Sequence, residues 1–342
     1  MGKRQGKVKR MKILYAIQGT GNGHLSRAVD IIPELQEYGQ LDLFVSGAQA
    51  EISLPYPVKY KSKGLSFFFG KSGGINFFKT FQKNSSKEVV KEINEFPVEK
   101  YDLIVNDFEP ISAWAARRKE IRIVGLSHQS ALLSKKTPKP KMIDPFGEWL
   151  LRNYAPVENY VGFHFEEYDK NIFSPVIRTA ITQAKKKDKG HYTVYLPAYD
   201  DKKLVALLIK FPSVRWHIFS KHTSQPYHVG KISVYPVSSD DFVESVVTST
   251  GVLCGAGFET PAEVIHLNKK LLVVPMKSQY EQKCNAVALK KLGVPVLKKV
   301  KKGNLKRIEK WLESNKWVEI EFPKVAGKAV ERLMKKYAND LV

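Results

Sequence analysis

The sequence predicts an α/β protein built from two doubly wound, Rossmann-like domains that face each other across a cleft. Short apolar runs without polar alternation recur along the chain, which is typical of strands covered by helices on both faces. Stretches with apolar residues at helical spacing separate these runs. In each half, a strand leads through glycines directly into a predicted helix. This βαβα order is characteristic of doubly wound domains, whose ligands bind at the carboxyl ends of the strands.

The predicted strands form two sets along the chain. The first set comprises residues 12–17, 41–46, 102–107 and 122–127, and the second comprises 191–197, 215–220, 231–237, 251–255 and 270–276. A charged, glycine-terminated stretch, 173–190, separates the sets and places the domain boundary near residue 180. We therefore expect an N-terminal domain over 11–180 and a C-terminal domain over 181–325, with an amphipathic helix within 326–342 that packs back on the first domain.

The composition limits the functional classes. The 342 residues include 56 Lys and Arg but 34 Asp and Glu, a net charge of +22 that favours anionic partners. The basic residues are scattered in clusters without the aromatic interleaving of a nucleic-acid module, so no nucleic acid is expected as a partner. Two cysteines argue against a disulfide framework. No apolar run reaches membrane-spanning length, and residues 1–10 are basic without a signal-peptide core, so a cytoplasmic protein is expected.

The first glycine-rich turn reads Gly19-Thr20-Gly21-Asn22-Gly23-His24. A dinucleotide fingerprint would require glycine at position 24, so ordinary NAD binding is disfavoured. The turn instead exposes a histidine at the mouth of the expected cleft, where it is suited to abstract a proton near neutral pH. The alternative is a histidine that only caps the helix start.

Asp107 ends the third predicted strand, which delivers it to the same crevice as His24. A carboxylate there would orient the imidazole and stabilise its charged form. The alternative is a cap for the helix that starts near Pro110. Asp107 and Glu109 also resemble a pair of metal ligands, but no third ligand is evident and no metal site is expected.

The second half contains the most informative stretch, 254–289. A strand leads into Gly255-Ala256-Gly257, and a helix starts near Phe258, where backbone N–H groups can bind a phosphate. Glu263 lies one to two turns into that helix. Gln282 and Asn285 share one face of a later helix, and their amides can bind several hydroxyl groups.

These motifs resemble GT-B glycosyltransferases, most closely the MurG-like family (family 28) and its UDP-glycosyltransferase relatives. The shared patterns are G-x-x-T-x-x-E, a strand ending in Pro, Q-x-x-N-A, a glycine-rich loop ending in His, "SHQS" (127–130) and "NDFEPISAW" (106–114). They are matched by Gly257, Thr260, Glu263, Pro275, Gln282, Asn285, Ala286 and His24. The matches are colinear across both halves. One departure is "LPAYDDKK" (196–203), which has no glycine where that family has a glycine-rich loop.

The resemblance implies a role for each matched position. His24 would be the general base, or at least a histidine of the acceptor loop, and Asp107 its partner, with His128 a second base candidate. Glu263 would bind the ribose of a UDP-linked or similar donor. The stretch from Gly255 through Phe258 would line the diphosphate, and Gln282 with Glu281 or Asn285 would contact the donor sugar. Thr260 would also belong to the donor-binding site. No cofactor is implied, because the nucleotide-sugar is a co-substrate.

The resulting expectation is a metal-independent, inverting transfer of a sugar to an acceptor hydroxyl. The stretch 64–83, which is rich in Phe with neighbouring Lys, fits a lipid-linked acceptor at the inner face of an anionic membrane. A loop and helix packed into the first domain fit it equally. Two other functions remain open: a nucleotide-sugar epimerase of the same fold, and a non-enzymatic binder of polyanions.

Overall fold

The structure, a computed structural model, describes residues 10–47, 54–64, 86–142 and 144–337. Its strands are β1 Lys12–Gln18, β2 Gln40–Ser46, β3 Tyr60–Ser62, β4 Leu103–Asp107, β5 Ile123–Ser127, β6 Asn159–Phe163, β7 Ile172–Phe173, β8 His191–Tyr195, β9 Arg215–Ser220, β10 Tyr227–Val229, β11 Ile232–Pro236, β12 Gly251–Gly255 and β13 Lys270–Val274.

The α-helices are α1 Asn22–Gln36, α2 Ser86–Glu95, α3 Pro110–Arg118, α4 His128–Ala131, α5 Pro145–Asn153, α6 Thr179–Thr182, α7 Asp201–Leu208, α8 Ser239–Thr248, α9 Glu259–His266, α10 Tyr280–Lys291, α11 Leu305–Glu313 and α12 Ala326–Tyr337. None of the helices in the described part of the chain is long and apolar enough to cross a bilayer.

The first sheet has the strand order β3-β2-β1-β4-β5-β6-β7, and every neighbouring pair is parallel. The chain reverses its direction of winding between β1 and β4, which is the switch point where such sheets open a crevice. Ile17 lies opposite Asp107 in this pairing. The ends of β1 and β4 therefore lie side by side at that crevice.

The second sheet has the order β10-β11-β9-β8-β12-β13, in which only the β10–β11 pair is antiparallel. Its switch point lies between β8 and β12. Gly255 ends β12 there, shortly before α9. The two predicted doubly wound halves are thus confirmed as the fold.

The nine predicted strands are all present within two residues of their predicted bounds. Among the described residues, four strands were not predicted from the sequence. Three of them, β3, β7 and β10, have only two or three residues and lie at sheet edges, where little apolar surface is buried. The fourth, β6, starts with exposed Asn159 and half-buried Tyr160 and contains Gly162, so its buried part is too short to form an apolar run.

The C-terminal helix α12 packs against α1 and β6 of the first half. Its buried side chains recur at helical spacing, from Ala329 and Val330 through Leu333 and Met334 to Tyr337. An amphipathic helix buries its apolar stripe on another element, and here that element belongs to the opposite end of the chain.

The Phe side chains of the stretch 64–83 lie outside the described residues.

Candidate active site between the two halves

The glycine-rich turn directs His24 toward Asp107. Gly21 has a φ of 101°, a conformation that other residues avoid, and α1 starts immediately after it. His24 is the third residue of α1, and Asp107 is the last residue of β4. Their atoms Nδ1 and Oδ1 lie 2.7 Å apart, and the carboxylate is fully buried. The predicted pairing of His24 with Asp107 therefore exists in the structure.

Arg27, one turn beyond His24, also contacts this pair. Its Nη2 donates to both oxygens of Asp107, at 2.7 and 2.9 Å. Burial favours the neutral acid, but Arg27 and then His24 outweigh it, so the pKa of Asp107 is lowered. Burial likewise opposes a charged imidazole, yet the Asp107 carboxylate outweighs it and the pKa of His24 is raised. The carboxylate therefore stays charged and makes His24 a stronger base.

The other imidazole nitrogen, Nε2, faces a cleft between the two halves and lies 3.4 Å from Nε2 of Gln129. The His24 side chain is 12% exposed and is part of the cleft lining. The cleft has a volume of about 350 Å³. Its polar lining includes Gln18, Thr20, His24, Gln129, Asp144, Glu281 and Lys283, and its apolar lining includes Phe108, Phe146, Leu150, Leu151 and Tyr280.

Glu109 has a structural role beside this site. It is the N-cap of α3, and its carboxylate accepts from the backbone N–H groups of Ile111 and Ser112, both at 2.7 Å. It also accepts from the Ser46 hydroxyl at 2.6 Å. Glu109, rather than Asp107, therefore caps this helix, which leaves Asp107 free to bind His24 and Arg27. The described residues contain no group of three His, Cys, Asp or Glu side chains arranged for a metal ion.

Helix α9 starts at the carboxyl end of β12, as the glycine pattern predicts. Gly255 and Gly257 are partly exposed, whereas Ala256 and Phe258 are buried, and Thr260 is half-buried in the first turn. The Phe258 ring stacks on His128, with centroids 3.9 Å apart. This stacking holds the start of α9 against the first half.

His128 and Asn285 are buried in the same contact. His128 Nδ1 lies 2.9 Å from the Phe163 carbonyl oxygen, and its Nε2 lies 2.8 Å from Oδ1 of Asn285. The Asn285 amide donates to the Ala256 carbonyl at 3.1 Å. Burial lowers the pKa of His128. Neither side chain lines the cleft, so both join the halves in this structure and their predicted ligand contacts stay predictions.

Glu263 and Gln282 are also engaged within the protein. Arg178, between β7 and α6, binds both carboxylate oxygens of Glu263, with Nη2 2.7 Å from Oε2. Gln282 accepts from the backbone N–H of Met276 at 2.9 Å. Glu281 instead lines the cleft and accepts from Gln129 at 3.0 Å. Of the predicted donor-binding side chains, Glu281 is therefore the one that shares the cleft with His24.

The sequence patterns did not indicate Arg27 or Glu259. Nη1 of Arg27 donates to Glu259, the first residue of α9 in the second half. One signal was available, because Arg27 lies on the buried stripe of α1 between Leu25 and Ala28. A cation at such a position is almost never buried without a partner. Its partners could not be predicted, since they follow in the sequence by 80 and 232 residues.

The sequence profile of glycosyl transferase family 1 matches residues 11–315, which include both sheets and the whole cleft. The chain belongs to glycosyl transferase family 1. It is thus a glycosyltransferase-type enzyme, as the motifs predict. A search among curated proteins gave no match.

Several solved structures share this fold. Phytolacca americana UGT2, complexed with UDP-2fluoro-glucose and pterostilbene, is 14% identical with a TM-score of 0.57, over 98% of this chain and 95% of that one. MurG of Acinetobacter baumannii is 15% identical with a TM-score of 0.51, over 97% and 98%. A UDP-N-acetylglucosamine 2-epimerase is 14% identical with a TM-score of 0.57, also over 97% and 98%. At this identity the similarity shows the shared GT-B fold alone.

Proposed function

We propose that this protein transfers a sugar from a UDP-linked donor to an acceptor hydroxyl with inversion at the anomeric carbon. The observation that carries the proposal is the His24–Asp107 pair at the first switch point, with Nε2 of His24 facing the cleft between the halves. Nδ1–H donates to Asp107, so Nε2 is left to accept a proton from the attacking hydroxyl. The acceptor oxygen then forms the new glycosidic bond as the bond to the nucleoside diphosphate breaks.

The start of α9 is the proposed donor phosphate site. It lies at the second switch point, where the N–H groups and dipole of a helix end favour an anion. These groups would stabilise the leaving diphosphate, so the proposal requires neither a metal ion nor a further cofactor. Glu263, which binds Arg178 in this structure, would release Arg178 and bind the ribose hydroxyl groups when the donor enters. The closer kinship with MurG-like transferases is part of this proposal, supported by the G-x-x-T-x-x-E and Q-x-x-N-A matches.

The cleft lining fits a hydroxyl-rich ligand. Gln18 Oε1, Thr20 Oγ1 and Gln129 Oε1 are buried and have no hydrogen-bond partner within the described structure. Buried acceptors without partners are costly, and sugar or polyol hydroxyls would satisfy them as donors. The apolar lining residues, which include Phe108 and Tyr280, suit the apolar faces of such a ligand.

An anionic membrane surface is the proposed location of the acceptor. Met142, Phe146 and Trp149 are 82%, 50% and 58% exposed, and Phe146 lines the cleft. The segment that precedes them, 135–141, contains four lysines. Exposed apolar side chains beside cations bind anionic interfaces by inserting among the headgroups. A lipid-linked acceptor would there be next to the cleft, because Phe146 also lines it.

Vesicle sedimentation tests this location. Wild-type protein should bind vesicles that contain anionic lipid, and a Trp149→Ser variant should bind them several-fold more weakly. Trp317, which is similarly exposed but lies in the second half, provides the matched control, Trp317→Ser. Equal binding by the two variants would contradict the membrane location without affecting the proposed reaction.

Donor binding and turnover test the reaction itself. Calorimetry with UDP, GDP, dTDP, ADP and NAD should show binding of one nucleoside diphosphate, and Glu263→Gln should weaken it. His24→Gln should bind that nucleotide as tightly as the wild type. Its turnover, measured as release of the nucleotide from the matching nucleotide-sugar, should be ~10²–10⁴-fold slower. Chelator should leave the rate unchanged. Absence of nucleotide binding, or unchanged turnover in His24→Gln, would refute the proposal, and formation of an epimerised sugar without acceptor would indicate an epimerase.

A further inference from the structure

The side chain of Arg27 joins two carboxylates from opposite halves of the molecule. It is buried, with Nη2 on Asp107 of the first half and Nη1 on Glu259 of the second. Its guanidinium lies 5.7 Å from the centroid of the Phe163 ring, which covers it on that side. Arg27 is also 3.3 Å from Nδ1 of His24. One cation therefore contacts the proposed base, its carboxylate partner and the start of α9.

Glu259 approaches the glycine turn closely. A Cβ atom on Gly23 would lie 2.5 Å from Oε2 of Glu259, so the lack of a side chain at this position gives the carboxylate room beside Arg27. Glu259 is the first residue of α9, where an acid would repel an incoming diphosphate unless a cation neutralises it. Its side chain is 25% exposed. The Arg27–Glu259 ion pair thus exists only when the two halves are as close as they are in this structure.

We propose that Arg27 is a positioning residue that makes the basicity of His24 depend on the approach of the second half through Glu259. This inference rests on the proposed role of His24 as the base. With Glu259 in place, the positive charge of Arg27 is shared between two carboxylates, and Asp107 acts more strongly on His24. When the halves separate, Arg27 neutralises Asp107 alone, and His24 becomes a weaker base. Full base strength is then reached only around a closed cleft, which protects the donor from water.

The groups that act on the charge of His24 come from several elements. Asp107 and Glu259 favour the imidazolium form and Arg27 opposes it. Two further groups are one contact removed: the Tyr15 hydroxyl lies 3.4 Å from Asp107, and Glu281 is bound by Gln129. The removal of Glu259 or of Arg27 should therefore change the titration of His24 in opposite directions.

Histidine-selective NMR titration of the ligand-free protein tests this proposal. The protein has eight histidines, and the resonance missing in His24→Gln assigns His24. Glu259→Gln should lower the midpoint of His24 by about half a pH unit or more, because a nearby negative charge is lost. Arg27→Gln should raise the midpoint by a similar amount, and Arg27→Lys should restore it toward the wild-type value. In a protein that already carries Arg27→Gln, Glu259→Gln should lower the His24 titration midpoint by less than it does in the wild type.

A second ion pair across the cleft provides the control. Lys283 of α10 binds Asp144 of the first half at 2.7 Å, without contact to His24 or Asp107 in the described structure. Lys283→Gln should leave the His24 midpoint unchanged. If Arg27→Gln fails to fold, Glu259→Gln decides alone, since that side chain is partly exposed. Unchanged titration in Glu259→Gln, or an equal shift in Lys283→Gln, would overturn the proposal. The titration needs no substrate, so a failure of the transferase proposal would be seen separately, in the nucleotide and turnover assays.

Discussion

Replacement of Asp107 by asparagine should be strongly destabilising, because it removes the charge that three hydrogen bonds depend on. The carboxylate accepts from Arg27 at 2.7 and 2.9 Å and from His24 at 2.7 Å. Charge-assisted bonds of this kind contribute about 1.5–3 kcal/mol each. The amide oxygen of the replacement side chain would keep part of this bonding, but buried Arg27 would retain only Glu259 as a counter-charge. Loss of one partner from a buried ion pair typically costs about 3–5 kcal/mol.

Thermal and denaturant unfolding measure this cost. For a chain of 342 residues, about 3–5 kcal/mol corresponds to a fall in melting temperature of roughly 4–7 °C. Tyr15→Phe is the matched control, because its hydroxyl makes only a 3.4 Å contact to the same carboxylate, and it should cost about 1 kcal/mol or less. The pKa of His24 should also fall in Asp107→Asn, since the carboxylate raises it. A destabilisation no larger than that of Tyr15→Phe would refute this account of the buried network.

Three further predictions concern other parts of the molecule. Gly23→Ala should change the free energy of unfolding by about 1 kcal/mol or less, because its Cβ meets only the end of the flexible Glu259 side chain and alanine is favoured over glycine within α1; a loss of several kcal/mol in thermal unfolding would contradict this. Glu109→Ala should cost roughly 2–4 kcal/mol in unfolding experiments, since it leaves the capped N–H groups of α3 without an acceptor, and Glu109→Gln should cost less. His217 stacks on His191 at 3.9 Å, and burial, then the neighbouring His191, lowers its pKa to about 4. The unfolded chain binds this proton at higher pH than the folded one, so stability should fall as pH drops from about 6.5 to about 4, by on the order of 1–2 kcal/mol. His217→Phe should reduce that loss, and an identical pH dependence would exclude His217 as its source.

The fold was largely determined by patterns that are local in the sequence. Strands buried on both faces need continuous apolar runs, and glycine is favoured where the backbone takes a positive φ before a helix, as at Gly21. These requirements act within a few residues, so the order of strands and the positions of the two glycine turns could be predicted. Doubly wound topology also predicts that the carboxyl ends of β4 and β1 lie side by side. This neighbourhood brings Asp107 next to His24.

Side-chain partners were harder to predict, because they depend on where distant elements meet. The sequence motifs made His128 a second base candidate, which stays a prediction. In this structure its ring stacks on Phe258 and contacts Asn285, because the start of α4 lies against the second half. Likewise, Glu263 is bound by Arg178 in this structure. Polar side chains at a switch point can face the ligand or the opposite half. The choice depends on packing distances that the sequence does not contain.

By itself, the sequence determined two doubly wound domains, a histidine behind the first glycine turn and an aspartate at the neighbouring strand end. Only the tertiary structure decided that Arg27 and Glu259 complete this site. Local conformational preferences act within a single turn or strand and can be recognised from neighbouring residues. The Arg27–Glu259 pair instead joins residues 232 positions apart, and it forms because folding of both halves desolvates one cation between two carboxylates.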